Sequence, residues 1–76
     1  MPLVQIKGIH GYLSERQKTD LIQRVTDAVL SVEGEGLRPV TWVLIEDVPE
    51  GQWGVGGQPA TVRTLRELAH PPTDAR

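Results

Sequence analysis

Ser14-Glu15-Arg16-Gln17-Lys18-Thr19-Asp20-Leu21-Ile22-Gln23-Arg24-Val25-Thr26-Asp27-Ala28-Val29-Leu30-Ser31-Val32-Glu33-Gly34 carries independent helix signals at its start, along its length and at its end. Ser14 with Gln17 three residues on forms a capping box, in which each side chain satisfies a backbone N–H that the helix start leaves open. Leu21, Ile22, Val25, Ala28, Val29 and Val32 recur at helical spacing and form one apolar face. Lys18, Asp20, Gln23, Arg24 and Asp27 take the other positions, and Gly34 is a natural stop. The helix should be about 30 Å long. Its pattern is that of an amphipathic helix covering a sheet, and no chemistry is assigned to it.

Upstream, residues 2–7 read as a strand, with Pro2, Val4 and Ile6 on one face and Leu3, Gln5 and Lys7 on the other. Gly8 to Leu13 reads as a loop that carries His10 and Tyr12. Downstream, residues 34–39 read as a linker, and Val40 to Val48 as a second strand rich in β-branched residues. Trp42, Leu44 and Glu46 share one of its faces, and Thr41, Val43 and Ile45 the other. Strand, long helix and strand make a β-α-β unit, so the strands should be parallel and joined by a right-handed crossover. Both strand faces are largely apolar, and one helix covers only one of them. The other face calls for a partner.

After Pro49-Glu50-Gly51, the segment Gln52-Trp53-Gly54-Val55-Gly56-Gly57-Gln58-Pro59 suggests a tight hairpin presenting Trp53, either as an interface anchor or as a pocket wall. Residues 60–69 suggest a short helix with Val62, Leu65 and Leu68 on one side, and residues 71–76 a tail. The expected class is α+β, with residues 1–70 as a single domain.

With 76 residues and no Cys, neither disulfides nor thiolate metal sites can staple the fold. His10 and His70 show no metal-ligand spacing, so no metal is expected. Domains this small bury only ~60% of their unfolded surface, which again points to self-association. A net charge of -2 argues against nucleic-acid binding. No apolar run approaches the ~20 residues of a membrane span. No leader pattern opens the chain, and a cytoplasmic location is expected.

Met1-Pro2 supplies the chemistry. Initiator Met is commonly removed ahead of a small residue such as Pro, and removal would leave Pro2 as a secondary amine. Ordinary α-amino groups titrate near pH ~8, and burial among apolar groups lowers that value, toward the range where an amine serves as a base. Alternatively, Pro2 is a strand-start proline whose missing N–H is not needed there.

Pro2, the β-α-β layout, Gln17-Lys18, Leu21-Ile22, Val25-Thr26 and the run Glu46…Pro49-x-x-x-Trp53-Gly54-Val55-Gly56-Gly57 resemble the 4-oxalocrotonate tautomerase family of the tautomerase superfamily, over about residues 2–58. The resemblance implies that Pro2 is a general base moving a proton between dienol and enone, or enol and ketone, of a small unsaturated or aromatic 2-oxo or 2-hydroxy acid. It implies no cofactor and no metal. It implies paired sheets, a homo-oligomer (a hexamer, or trimer of dimers) and pockets completed by neighbouring copies. It gives Trp53 the part of an apolar pocket wall.

The chain departs from the family's usual arginines. No arginine stands in Gly11-Tyr12-Leu13, and Trp42 occupies the second arginine's place. These arginines bind a substrate carboxylate in the family, so the usual carboxylate contact is missing here. Arg38, Arg63, Arg66, Lys7 and His10 are the candidate replacements, and Trp42 with Trp53 suggests a more apolar substrate. The alternatives are a hydratase or dehalogenase on the same fold, and a non-catalytic or hetero-oligomeric subunit.

Overall fold

The computed structural model describes residues 1–70. The expected tail at 71–76 lies outside the described residues. The elements, in order, are β1 (Leu3–Ile9), α1 (Glu15–Glu33), a 3-10 turn (Glu35–Val40), β2 (Trp42–Val48), a second 3-10 turn (Glu50–Gln52), β3 (Gly54–Val55), β4 (Gln58–Pro59) and α2 (Val62–Ala69). The chain divides into two compact units. One comprises Met1–Lys7 with Leu13–Glu46, the other Gly8–Tyr12 with the described residues from Asp47 to His70. Among the described residues, no helix is long and apolar enough to cross a membrane.

β1 and β2 pair in a two-stranded sheet. The Trp42 N–H donates to the Pro2 carbonyl at 2.9 Å, and the His10 N–H donates to the Val48 carbonyl at 2.8 Å. Start meets start and end meets end, so the strands are parallel, as a strand joined through a long helix requires. β1 runs two residues past the expected Lys7, because the hydrogen bond to Val48 continues the ladder through Gly8 and Ile9. Ile9, expected in the loop, is among the buried apolar residues at 4% exposure. β2 begins at Trp42 rather than Val40, because residues 35–40 coil into the 3-10 turn where a plain linker was expected. Its hydrogen bonds run from the Leu37 N–H to the Gly34 carbonyl (3.2 Å) and from the Thr41 N–H to the Arg38 carbonyl (3.3 Å).

Burial along the strands alternates as the period of two demands. Pro2, Val4, Ile6, Thr41, Val43 and Ile45 are half-buried, while Leu3, Gln5, Lys7, Trp42, Leu44 and Glu46 are exposed. The bare face therefore carries Leu3, Trp42 and Leu44 side by side.

In α1 both capping-box bonds form, and the Gly34 N–H closes the far end on the Leu30 carbonyl at 2.9 Å. The covered stripe differs from the expected one. Leu21, Val25 and Val29 are half-buried, but the helix's buried residue is Leu30, whereas Ile22, Ala28 and Val32 are exposed. Val32 lies in the last turn. A 19-residue helix is about 28 Å long, against about 23 Å for a seven-residue strand, so a helix of this length has an end that the sheet cannot cover.

In the second unit β3 and β4 pair antiparallel, Gly54 opposite Pro59 and Val55 opposite Gln58. Gly56 and Gly57 make the two-residue turn with φ of 61° and 85°. Positive φ at both central positions matches the twist of a tight hairpin and is unfavourable for residues with a Cβ. The space around Gly56 is open, so the backbone alone sets the cost of a side chain there. Gly56→Ala is expected to cost about 1–2 kcal/mol. Gly8→Ala, equally open but without a positive φ, is expected to stay within about 0.5 kcal/mol. Thermal unfolding of the two variants side by side checks this, and equal melting temperatures would count against the turn assignment. Thr61 caps α2, its hydroxyl accepting from the Thr64 N–H at 3.2 Å, and Glu50 Oε1 accepts the Val62 N–H at 2.8 Å.

Candidate active site

The parallel pairing of β1 with β2 makes Pro2 and Trp42 neighbours. With the Pro2 carbonyl held by the Trp42 N–H, the proline ring is anchored at the head of the sheet. Met1, Pro2, Leu3 and Trp42 line a hollow of about 190 Å³ there. Its walls are mostly hydrocarbon. Met1 is 78% exposed, so its loss would remove no core packing. With Met1 attached, the Pro2 nitrogen is an amide whose lone pair is delocalised into the carbonyl, and it has no basicity. Without Met1 it is a secondary amine beside Trp42 and Leu3, and apolar neighbours disfavour its charged form.

Arg38 belongs to the same unit, and two of its three guanidinium nitrogens are already engaged. Nη2 donates to Asp27 Oδ1 at 2.9 Å and to Glu35 Oε1 at 3.1 Å, and Nε donates to Glu35 Oε2. The hydrogen bond from Arg38 holds the Glu35 carboxyl below the usual carboxylate range. The same bond, together with that to Asp27, raises the guanidinium further above its ordinary value.

His10 and Trp53 belong to the second unit. His10 Nδ1 lies 3.1 Å from Asp47 Oδ2, which leaves Nε2 toward solvent on a side chain that is 73% exposed. The loop bearing His10 is held at Arg66, whose Nη2 donates to the Gly11 and Tyr12 carbonyls at 3.4 and 3.3 Å. The Arg66 guanidinium lies 5.2 Å from the centre of the Tyr12 ring, within cation–π range. Trp53 is half-buried, and its carbonyl accepts the Ala60 N–H at 2.7 Å, closing the base of the hairpin.

The structure thus brings together Pro2 and Trp42, and it gives Arg38 and His10 carboxylate partners. Sequence reasoning missed Leu3 as a lining residue, Asp47 behind His10, and Asp27 with Glu35 behind Arg38. Leu3 was legible, because it stands next to Pro2 on the face left bare. Glu35 with Arg38, three residues apart, was legible too, whereas Asp27 with Arg38 and Asp47 with His10 join residues 11 and 37 positions apart, and no local pattern marks them.

A tautomerase-enzyme family model matches residues 2–63. A 2-hydroxymuconate tautomerase of Pseudomonas sp. (strain CF600) is 36% identical over 61 residues, covering 80% of this chain and 94% of that protein. A 4-oxalocrotonate tautomerase isozyme of Methylibium petroleiphilum is similar in structure, with a TM-score of 0.69, 36% identity, and coverage of 84% of this chain and 97% of that one. A heterohexamer 4-oxalocrotonate tautomerase from Chloroflexus aurantiacus J-10-fl gives a TM-score of 0.70 at 27% identity, covering 78% of this chain and 92% of that one. With its parallel β-α-β unit and glycine-turned hairpin, the chain belongs to the 4-oxalocrotonate tautomerase family of the tautomerase superfamily, and it is an isomerase of the tautomerase type.

Proposed function

We propose that Pro2, freed by removal of Met1, is the general base of a cofactor-independent keto–enol or dienol–enone tautomerisation. The observation carrying this reading is Pro2 anchored beside Trp42 and Leu3, the apolar residues of the hollow that stay when Met1 is removed. The neutral amine takes the proton of the substrate's enol hydroxyl, and the oxygen's electron pair forms the carbonyl. The ammonium form then returns the proton to carbon. The step is an isomerisation and consumes no oxidant or reductant.

The substrate class is a small unsaturated or aromatic 2-oxo or 2-hydroxy acid, with Trp42 and Trp53 as apolar walls. His10, its Nδ1–H held by Asp47, can donate from Nε2–H to the substrate's carboxylate when the ring carries both protons. In that role His10 is contributed by a second copy of the chain. Residues 1–70 act as one domain, and copies associate through the bare face of the β1–β2 sheet, as a hexamer or trimer of dimers. A second reading, a hetero-oligomeric subunit whose partner brings the arginines, is favoured by Trp42 in an arginine's place and by the likeness to the Chloroflexus heterohexamer.

Native mass spectrometry of the purified chain, together with its turnover of phenylenolpyruvate and 2-hydroxymuconate, tests both readings. The expected result is a homo-oligomer active alone, with the aromatic substrate preferred. A homo-oligomer that turns over neither compound would sink the first reading. Activity appearing only on mixing with a second tautomerase chain would establish the second.

A further inference from the structure

We infer that Arg38 is a positioning residue for Pro2, acting through Trp42 rather than by touching substrate; this rests on the reading of Pro2 as the base. The hydrogen bond that anchors Pro2 comes from the Trp42 backbone, so the seat of Pro2 is as well defined as the chain leading into Trp42. That chain, residues 34–41, is a poor candidate for rigidity by itself. Gly34 breaks the helix at φ 118°, Gly36 adds backbone freedom, and Pro39 lacks an N–H. The 3-10 bonds within it are long at 3.2 and 3.3 Å, supplemented by the Thr41 hydroxyl donating to the Leu37 carbonyl at 2.9 Å.

Arg38 fastens this segment to the body of α1. Its guanidinium takes both oxygens of Glu35 within the turn and reaches back 11 residues to Asp27 on the helix. A planar fork on two carboxylates fixes direction as well as distance. The Arg38 carbonyl in turn accepts the N–H of Thr41, the residue before Trp42. The route from α1 to Pro2 therefore runs Asp27, Arg38, Thr41, Trp42, Pro2. Exposed ion pairs contribute little to stability, so the consequence of this one is geometric. Displacing a catalytic group by about 1 Å can cost about 10²-fold in rate.

The test uses Arg38→Met, the double variant Asp27→Asn/Glu35→Gln, and Arg24→Gln as control. Arg24 makes a similar exposed pair with Asp20 at 3.0 Å, but both residues lie within α1. Phenylenolpyruvate and its methyl ester serve as substrates, because they share the enol and differ in charge. Both substrates are expected to lose kcat by the same factor of about ten to a hundred, with KM changed less than twofold. The double variant should do the same although it keeps Arg38, and the acid limb of the pH–rate profile should shift toward the ordinary amine range as Trp42 loosens. Arg24→Gln should match the wild type.

A loss confined to the acid and expressed in KM would overturn the inference, because Arg38 would then be touching the substrate's carboxylate. A double variant at the wild-type rate would overturn it too, and this variant changes only exposed carboxylates, so it remains informative if Arg38→Met does not fold. Blocking the amine of Pro2 in the wild type is run alongside. Unchanged turnover there removes the Pro2 reading itself. A Pro2-dependent rate that the Arg38 and carboxylate variants leave untouched removes only the positioning role.

Discussion

Blocking the Pro2 nitrogen with an uncleaved residue is expected to lower kcat/KM for enol–keto conversion by about 10²–10⁴-fold, the usual contribution of a general base. The blocked chain keeps its strands, its hollow and its walls, and what it loses is a lone pair, since an amide nitrogen shares its pair with the carbonyl. Pro2→Ala should lose less, on the lower side of that range. Alanine is small enough for Met1 still to be removed, and the product is again an amine. What disappears is direction. The pyrrolidine ring ties the nitrogen back to the side chain and stops rotation about N–Cα, and with the carbonyl held by the Trp42 N–H the nitrogen's lone pair has few orientations. An alanine amine rotates freely about its N–Cα bond.

The acid limb of the wild-type pH profile should lie below the ordinary α-amino range, because the apolar side chains of Leu3 and Trp42 beside it disfavour the charged amine. Catalysis by the neutral amine falls as pH drops through that value. Intact mass identifies the amino-terminal residue of each protein, and initial rates give the ratios. A blocked chain that turns over at the wild-type rate removes Pro2 from the mechanism.

Leu44→Glu is expected to dissociate the assembly and to abolish activity with it. Leu44 is 41% exposed on the bare face of β2, beside Trp42 at 53% and Leu3 at 54%. A two-stranded sheet is marginal by itself, and a contiguous apolar patch of this kind marks an interaction surface. The flanking Lys7–Glu46 pair at 3.6 Å is exposed and adds little. Full burial of a leucine contributes about 1.5–3 kcal/mol, and an unpaired carboxylate in its place is costly to desolvate. A two-fold interface counts each change twice. The loss of affinity should therefore reach several orders of magnitude, with a melting temperature that becomes concentration-dependent. Gln23→Glu on the polar side of α1 serves as control. Sedimentation at micromolar concentration decides the matter, and an unchanged particle would move the interface elsewhere.

The helix, its caps and the hairpin turn were legible in the sequence because each depends on neighbours within four residues. Ser14 with Gln17, Gly34 after Glu33, and Gly56-Gly57 between short strands all sit as local chemistry dictates. Boundaries were less legible where a distant partner sets them. β1 extends to Ile9 because Val48 offers a carbonyl to His10, 38 residues earlier in the chain, and β2 starts late because Arg38 and Thr41 coil the approach. The helix face was half legible. Periodicity names the apolar residues but not which of them the sheet reaches, so Leu30 is buried and Val32 bare.

By itself, then, the sequence settled the order and type of the strands and the two α-helices, the bare second face of the strands and the place of Pro2 at a strand's head. Each of these is a matter of spacing along the chain. Only tertiary structure set Trp42 against Pro2, drew Arg38 onto Asp27, and paired His10 with Asp47. Those contacts depend on strand register and on where a coiled connection ends, and residues far apart in the chain fix both together.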